Sequence, residues 1–361
     1  MYKLSRRNFI ALSGLFAFPD LSKYFNFFSS QSKKFITAAH LVTSHEKPSY
    51  AVIKFDLSTS ELAILPVAFE GHGIYGQNDN SQICLVTGKR GNKKSALINT
   101  KSMSVLNEIE SQKDYSFYGH SCQDSKGLWY IVEENQKENK SIVSVWTKNL
   151  DSLVKVINID GSGAHDINYL KETDEILVGV ANDYTNKESE LQRINTLNGQ
   201  IVHRIKTFDN DALVDHFKIF NNKIYVGVRN RNLSEGTQAL LGHCRLNDEK
   251  IKPIILPKKI VSDLPPSALS VEVTNASKSI SITTTGDSSK NGHVLSWSLD
   301  SLKFDGYIRS KETLGLGHID KTTYITTGNK GLISFVSENQ VKKTINIYNK
   351  VSVFGAHLLI V

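Results

Sequence analysis

Apolar residues in this chain come in short runs of strand length, and turn formers hold the positions between the runs. Residues 50–57 (YAVIKFDL), 128–132 (LWYIV), 175–180 (EILVGV), 223–228 (KIYVGV) and 324–327 (YITT) are rich in Val, Ile, Thr and Tyr, which suit a pleated backbone. Asn78-Asp79-Asn80, Asn221-Asn222, Asp287-Ser288-Ser289 and Gly328-Asn329 lie between such runs and read as turns. No long stretch repeats its apolar residues at a helical period. The pattern predicts an all-β chain.

The runs also repeat. Anchored on His72, His120, His165, His216, Ser270 and His318, successive units are 48, 45, 51, 54 and 48 residues apart. One more unit fits between residue 36 and His72. The chain after the first 31 residues, cut in seven, gives about 47 residues per unit, close to a four-stranded propeller blade. Residues 36–361 are therefore expected to form a seven-bladed β-propeller, against the alternatives of an open sandwich or two domains. The last apolar run, residues 354–361, has no blade after it, so it is expected to pair with the first unit and close the ring, which removes exposed strand edges.

The anchors bring chemistry with them. Gly71-His72-Gly73, Gly119-His120-Ser121, Ala164-His165-Asp166, Asp215-His216-Phe217 and Gly317-His318-Ile319 start units, and Ala356-His357 repeats the context in the closing strand. The first strand of a blade lines the central channel, so equivalent residues form a ring around it. Neutral imidazoles converging there suit iron, copper or zinc. His72, His120, His165, His216, His318 and His357 are the candidate ligands, and His243, in Gly242-His243-Cys244, is a further one on a loop that could reach over the channel. Asp166, Asp215 and Asp320 are candidate partners or added ligands. The competing reading is structural, because Gly-His pairs in other propellers bond within their own blade. This chain lacks the Trp-Asp pair that goes with that use. Met1 and Met103 are the only methionines, which weighs against a methionine-based copper carrier.

Composition narrows the remaining choices. The chain has 361 residues, 40% apolar and 22% charged, with a formal charge of +7. Nearly half of that charge sits in residues 1–31, and the lysine pairs elsewhere are short and lack interleaved aromatics, so a nucleic-acid surface is not expected. Three cysteines, Cys84, Cys122 and Cys244, give no disulfide framework. No phosphate loop, Gly-x-Ser-x-Gly elbow or c-type haem motif is present. Residues 1–31 contain Ser5-Arg6-Arg7-Asn8-Phe9 followed by a short apolar stretch. That segment resembles a twin-arginine export signal, too short to span a bilayer. It predicts a periplasmic protein that touches the membrane only through this segment. Proteins on that route cross folded, which suits a site loaded beforehand.

The ordered set Gly-His-Gly (71–73), Phe-Tyr-Gly-His (117–120) with Glu134-Asn135, Ala-His-Asp (164–166) with Val180-Ala181-Asn182, Asp-His-Phe (215–217), Gly-His (242–243), Ser-Val (270–271), Thr-Thr-Gly (326–328) and Ala-His-Leu (356–358) resembles a bacterial family known only as domain of unknown function fifteen-thirteen. Its members are often encoded beside imelysin-like proteins of iron uptake, so the resemblance implies a periplasmic role tied to metal, iron in particular. This chain departs from the usual motifs at Glu70, at Ala164-His165-Asp166 and at Asn182-Asp183-Tyr184. Three functions stay open on the sequence. One is a non-enzymatic propeller binding iron or copper as an accessory to metal uptake. Another is a hydrolase or oxidoreductase at the channel mouth, using a carboxylate such as Glu134 or Glu272. The third is an interaction scaffold with structural histidines.

Overall fold

The computed structural model describes residues 34–361, apart from 43–48, 79, 184, 186, 231–238, 276–277, 285–291, 311–312, 320–322, 329–330, 338–339 and 348–349. The export segment, His45 and Asp320 lie outside the described residues. Among the described residues, no helix is long and apolar enough to cross a membrane.

Short strands joined by tight turns can bury their apolar residues only by stacking sheet on sheet, and this chain does so seven times. Blade one holds β1 (Lys34–Leu41), β2 (Ser49–Asp56) and β3 (Leu62–Val67); blade two β4 (Gly71–Gln77), β5 (Asn80–Gly88), β6 (Lys94–Asn99) and β7 (Ser104–Glu110); blade three β8 (Ser116–Gln123), β9 (Trp129–Asn135), β10 (Lys140–Trp146) and β11 (Leu153–Asn158). Blade four holds β12 (Ala164–Leu170), β13 (Glu175–Val180), β14 (Glu190–Asn195) and β15 (Ile201–Lys206); blade five β16 (Ala212–Phe220), β17 (Lys223–Asn230), β18 (Leu241–Arg245) and β19 (Lys252–Ile254). After a one-turn helix α1 (Lys258–Val261), blade six holds β20 (Ala268–Thr274), β21 (Ser279–Thr284), β22 (Gly292–Ser298) and β23 (Phe304–Ser310). Blade seven holds β24 (Thr313–His318), β25 (Thr323–Gly328), β26 (Leu332–Ser337) and β27 (Gln340–Asn346), and β28 (Val351–Ile360) ends the chain.

Each sheet is antiparallel and four-stranded, and the first has the order β28-β1-β2-β3. The last strand thus completes the first blade, pairing Phe35 with Ile360, Thr37 with Leu358 and Ala39 with Phe354. The seven-bladed, ring-closed propeller expected from the sequence is the fold observed. The innermost strands touch in sequence around the channel, from β28 through β4, β8, β12, β16, β20 and β24 back to β28.

Position within a blade explains the residue patterns. β9 and β13 are buried along their whole length, because the second strand of a blade is covered on both faces by neighbouring blades. β13 accordingly reads as a nearly unbroken apolar run, and β9 opens on one, Trp129 to Val132, before the buried Glu133, Glu134 and Asn135. The outermost strands β7, β11 and β15 each bury one isoleucine, Ile109, Ile157 or Ile205, and expose most other positions. The core is a set of layers between blades. Tyr130, Val132 and Val143 pack on Ile167, Ile176 and Val178, and Phe35, Ile53 and Phe55 pack on Ile325, Ile333 and Phe335.

One buried charge makes stability depend on pH. Glu133 on β9 is fully buried, with Oε2 accepting the Gln112 N–H at 2.7 Å. Burial pushes its carboxyl up from 4.5 to about 7. The folded chain therefore binds more protons than the unfolded chain between those values, and stability falls as pH rises through that window. Glu133→Gln removes the ionisation. In urea unfolding, the variant's stability relative to the native chain is expected to rise by about 3 kcal/mol between pH 4.5 and pH 8. Parallel pH profiles for the two proteins would show that Glu133 carries no such penalty.

Candidate metal centre

The innermost strands are not regular where they face the axis. β4 pairs Gly71 with Gly88 and Ile74 with Val86, so His72 and Gly73 together oppose Thr87. β12 places His165 and Asp166 opposite Gly179. β8 bulges over residues 118–120 opposite Val132, and β28 over residues 355–357 opposite Ala38. In β16 the bulge is at Asp215, immediately before His216. A bulge kinks the strand and re-aims its side chains. Here it turns an imidazole from each of five blades toward the axis at one level.

Glycines make room for this. Gly119 has φ +109°, and a Cβ there would meet His72 Cδ2 at 2.4 Å. A Cβ on Gly73 would meet the Gly119 carbonyl at 2.3 Å. That carbonyl also accepts a hydrogen bond from Thr87 Oγ1 at 2.5 Å.

The result is a packed cluster centred on His120, which is 2% exposed. Its ring centroid lies 5.1 Å from that of His72, 4.4 Å from His165, 5.0 Å from His216 and 4.6 Å from His357. His72, His120, His216 and His357 each offer a ring nitrogen, and all four atoms lie within 4.8 Å of one another. The Nε2 atoms of His72 and His120 are 3.2 Å apart, near the roughly 3.3 Å edge of a tetrahedron whose metal–nitrogen bonds are about 2.0–2.1 Å.

Hydrogen bonds at the far side of two of the rings, His120 and His216, decide which nitrogen is left there. Asp166 Oδ1 lies 3.1 Å from His120 Nδ1, and a carboxylate can only accept, so Nδ1 carries the proton and Nε2 keeps its lone pair. Tyr75 Oη stands 2.6 Å from the same Nδ1. Asp166 is itself fixed by the backbone N–H groups of Ile167 at 2.9 Å and Phe217 at 2.8 Å. This is the carboxylate–histidine arrangement that orients metal ligands. His216 Nδ1–H points to the Ala268 carbonyl at 3.4 Å, which leaves Nε2 inward.

Burial, reinforced by the neighbouring imidazoles, holds His72, His165 and His357 well below the ordinary histidine range. Burial likewise lowers His216. All four are neutral at neutral pH, as ligation requires. Burial pushes Asp166 up, but the facing His120 outweighs it and the carboxyl stays below its usual range. The cluster could hold a metal ion, and its all-imidazole donor set fits first-row transition metals.

On one side of the cluster a cavity of about 920 Å³ runs to the trailing ends of the inner strands. Its walls include Tyr75, Asn168, Lys218 and Glu272, and its floor is His120, His216 and His357. Lys218 Nζ lies 3.4 Å from Glu272. At the leading ends stands a smaller polar group. Asp183 accepts two hydrogen bonds from Arg229 at 2.9 Å, and Arg90 lies 4.2 Å over the Tyr118 ring. That ring is 5.8 Å from His165.

Two candidate ligands fall outside the cluster. In β24 the level of His72 and His165 belongs to residues 314 and 315, opposite Thr327. His318 pairs with Tyr324, roughly 10 Å further along the wall at a strand's rise per residue, where it lines the cavity. Its step of 48 residues matches the repeat, but its strand begins earlier relative to the histidine. His243 is on β18, the third strand of blade five, opposite Tyr225 and Lys252, two strands away from the channel. It is not on a loop over the channel. Glu134 is buried against Ser141 Oγ and the Gly163 N–H. Burial drives the Cys122 thiol well above its usual range, so it is a poor added ligand. Tyr75 was not legible in the sequence, because only the bulge after His72 turns it toward His120.

Comparison with known proteins agrees on fold and leaves the chemistry unnamed. The structure is similar to a putative 6-phosphogluconolactonase from Bacteroides fragilis, with a TM-score of 0.62 and 12% identity over 92% of this chain and 99% of that one. It is similar to a functionally unknown protein from Desulfotomaculum acetoxidans, with a TM-score of 0.62 and 10% identity over 91% and 99%. It also resembles the computationally designed Ika8 protein, with a TM-score of 0.55 and 10% identity over 87% and 89%. At such identities the likeness concerns the fold alone. No curated protein matches the sequence. Residues 65–360 match the family described as "Protein of unknown function (DUF1513)", and the chain belongs to that family.

Proposed function

We propose that this chain is a periplasmic propeller, exported by the twin-arginine route, that binds a transition metal ion, iron or copper, through His72, His120, His216 and His357 and serves metal uptake or handling without a reaction of its own. The observation that carries this reading is the set of buried ring nitrogens without a hydrogen-bond partner. Nε2 of His216, Nε2 of His357 and Nδ1 of His165 are all in this state among the described residues. Each such atom costs about 1–3 kcal/mol if nothing satisfies it. Burying several in one spot, with the tautomer of His216 already directed by the Ala268 carbonyl, is hard to explain as blade packing. A bound cation satisfies them together. The route in is the cavity above the cluster, and the imelysin-like iron-uptake proteins implied by the family resemblance are the proposed partners.

The test is elemental analysis of protein purified from the periplasm. About one iron or copper per chain is expected, falling to background when His72, His120, His216 and His357 are all changed to Asn, with a cooperative thermal transition retained. Native protein free of metal, and a variant that melts like it, would refute the reading.

A further inference from the structure

His216 belongs to a second ligand group. A ring nitrogen of His216, one of His165 and a carboxylate oxygen of Asp215 also lie within 4.8 Å of one another. Nδ1 of His165 is buried without a partner, and its ring centroid is 4.8 Å from that of His216. The two groups differ in how they meet the large cavity. Three members of the four-imidazole group, His120, His216 and His357, floor the large cavity, whereas His72, His165 and Asp215 lie outside its lining. His165 instead neighbours Tyr118, under Arg90, and Asp215 stands within electrostatic reach of Arg229.

His216 cannot serve both groups at once. The proton on its Nδ1 is directed at the Ala268 carbonyl, so one lone pair remains, at Nε2, and a lone pair binds one ion. We infer that the channel holds one divalent metal ion in either of two exclusive positions. One is the four-imidazole set that faces the cavity, the other a His165–Asp215–His216 set that faces the leading ends of the inner strands, and His216 hands the ion between them. This rests on the metal reading above and adds a direction to it. The ion enters from the cavity side, which three of the four imidazoles line. It leaves on the side where a carboxylate and the Arg90–Asp183–Arg229 group meet it. Ligand exchange at a shared imidazole requires no redox step and no proton release, since Nδ1 keeps its hydrogen throughout.

Co(II) is a suitable probe, because its absorption spectrum distinguishes imidazole from carboxylate donors. The full chain is expected to bind one Co(II). The His72→Asn/His357→Asn variant is expected to keep one, at least tenfold more weakly and with an altered spectrum. Adding Asp215→Asn to that variant should lower the affinity at least tenfold again. In the otherwise native chain, Asp215→Asn should slow the release of Co(II) to EDTA by tenfold or more. Binding of two Co(II) ions by the native chain would overturn the exclusive sharing. Loss of all Co(II) from a folded His72→Asn/His357→Asn variant, or release at the native rate from the Asp215→Asn chain, would overturn the second position while leaving the four-imidazole site standing. A native chain that binds no Co(II), iron or copper would end both readings. If the double variant does not fold, the release rate of the single variant decides.

Discussion

Deleting residues 351–361 is expected to abolish cooperative unfolding and to leave an aggregating chain. β28 is the innermost strand of the first blade, so its loss opens the ring at the point where first and last blades meet. It takes away Val351 and Phe354, which are buried in the layer between those blades, and the His357 carbonyl that accepts Thr37 Oγ1 at 2.6 Å. β1 then carries an unpaired edge next to uncovered Phe35 and Ala39, a template for pairing with other chains. Phe354→Ala is the graded form of the same experiment. It keeps the strand but empties a site that is 1% exposed, and it should cost about 3–5 kcal/mol in urea unfolding. A deletion variant with a single transition at the native midpoint would mean that closure contributes little.

That closure was readable from the sequence because it depends on coarse features. A strand-like run with no blade after it, and a repeat of near-constant length, need only the apolar pattern and a count. The site asks for more. His72 and His165 were legible as equivalents because both sit one residue after the start of their strand, with the same bulge. His318 shares the Gly-His text of His72, but it comes at the end of β24, and the register of a strand is not written in a dipeptide. His243 is misplaced for a related reason. A Gly-His pair on the third strand of a blade looks in sequence like one on the first. Bulges decide the level of each side chain in the channel. They arise from the crowding of inner strands at the axis, a property of the assembled ring that no single segment carries. Asp166 was legible because it follows His165 directly, although its partner proved to be His120 of the preceding blade. Glu70 is bonded to His40 at 2.8 Å and Lys89 at 2.7 Å, outside the cluster.

Asp166→Asn is expected to raise the metal dissociation constant 10- to 100-fold without unfolding the protein, as loss of an orienting carboxylate does in other metal sites. Both carboxylate oxygens face hydrogen-bond donors. Oδ1 meets the Ile167 N–H and His120 Nδ1, and Oδ2 meets the Phe217 N–H. An amide must put its NH2 at one of those places. Turned toward Phe217, it sets two donors against each other at a buried site, which costs about 1–3 kcal/mol of stability. Turned toward His120, it donates to Nδ1 and drives the proton to Nε2, the atom that faces His72 at 3.2 Å. The ring then has no lone pair for the ion, although its position is unchanged. Chelator competition measures the first consequence and thermal unfolding of the metal-free protein the second. A variant with native affinity would show that the tautomer of His120 is set elsewhere, and Tyr75, 2.6 Å from the same nitrogen, would then be the group that sets it.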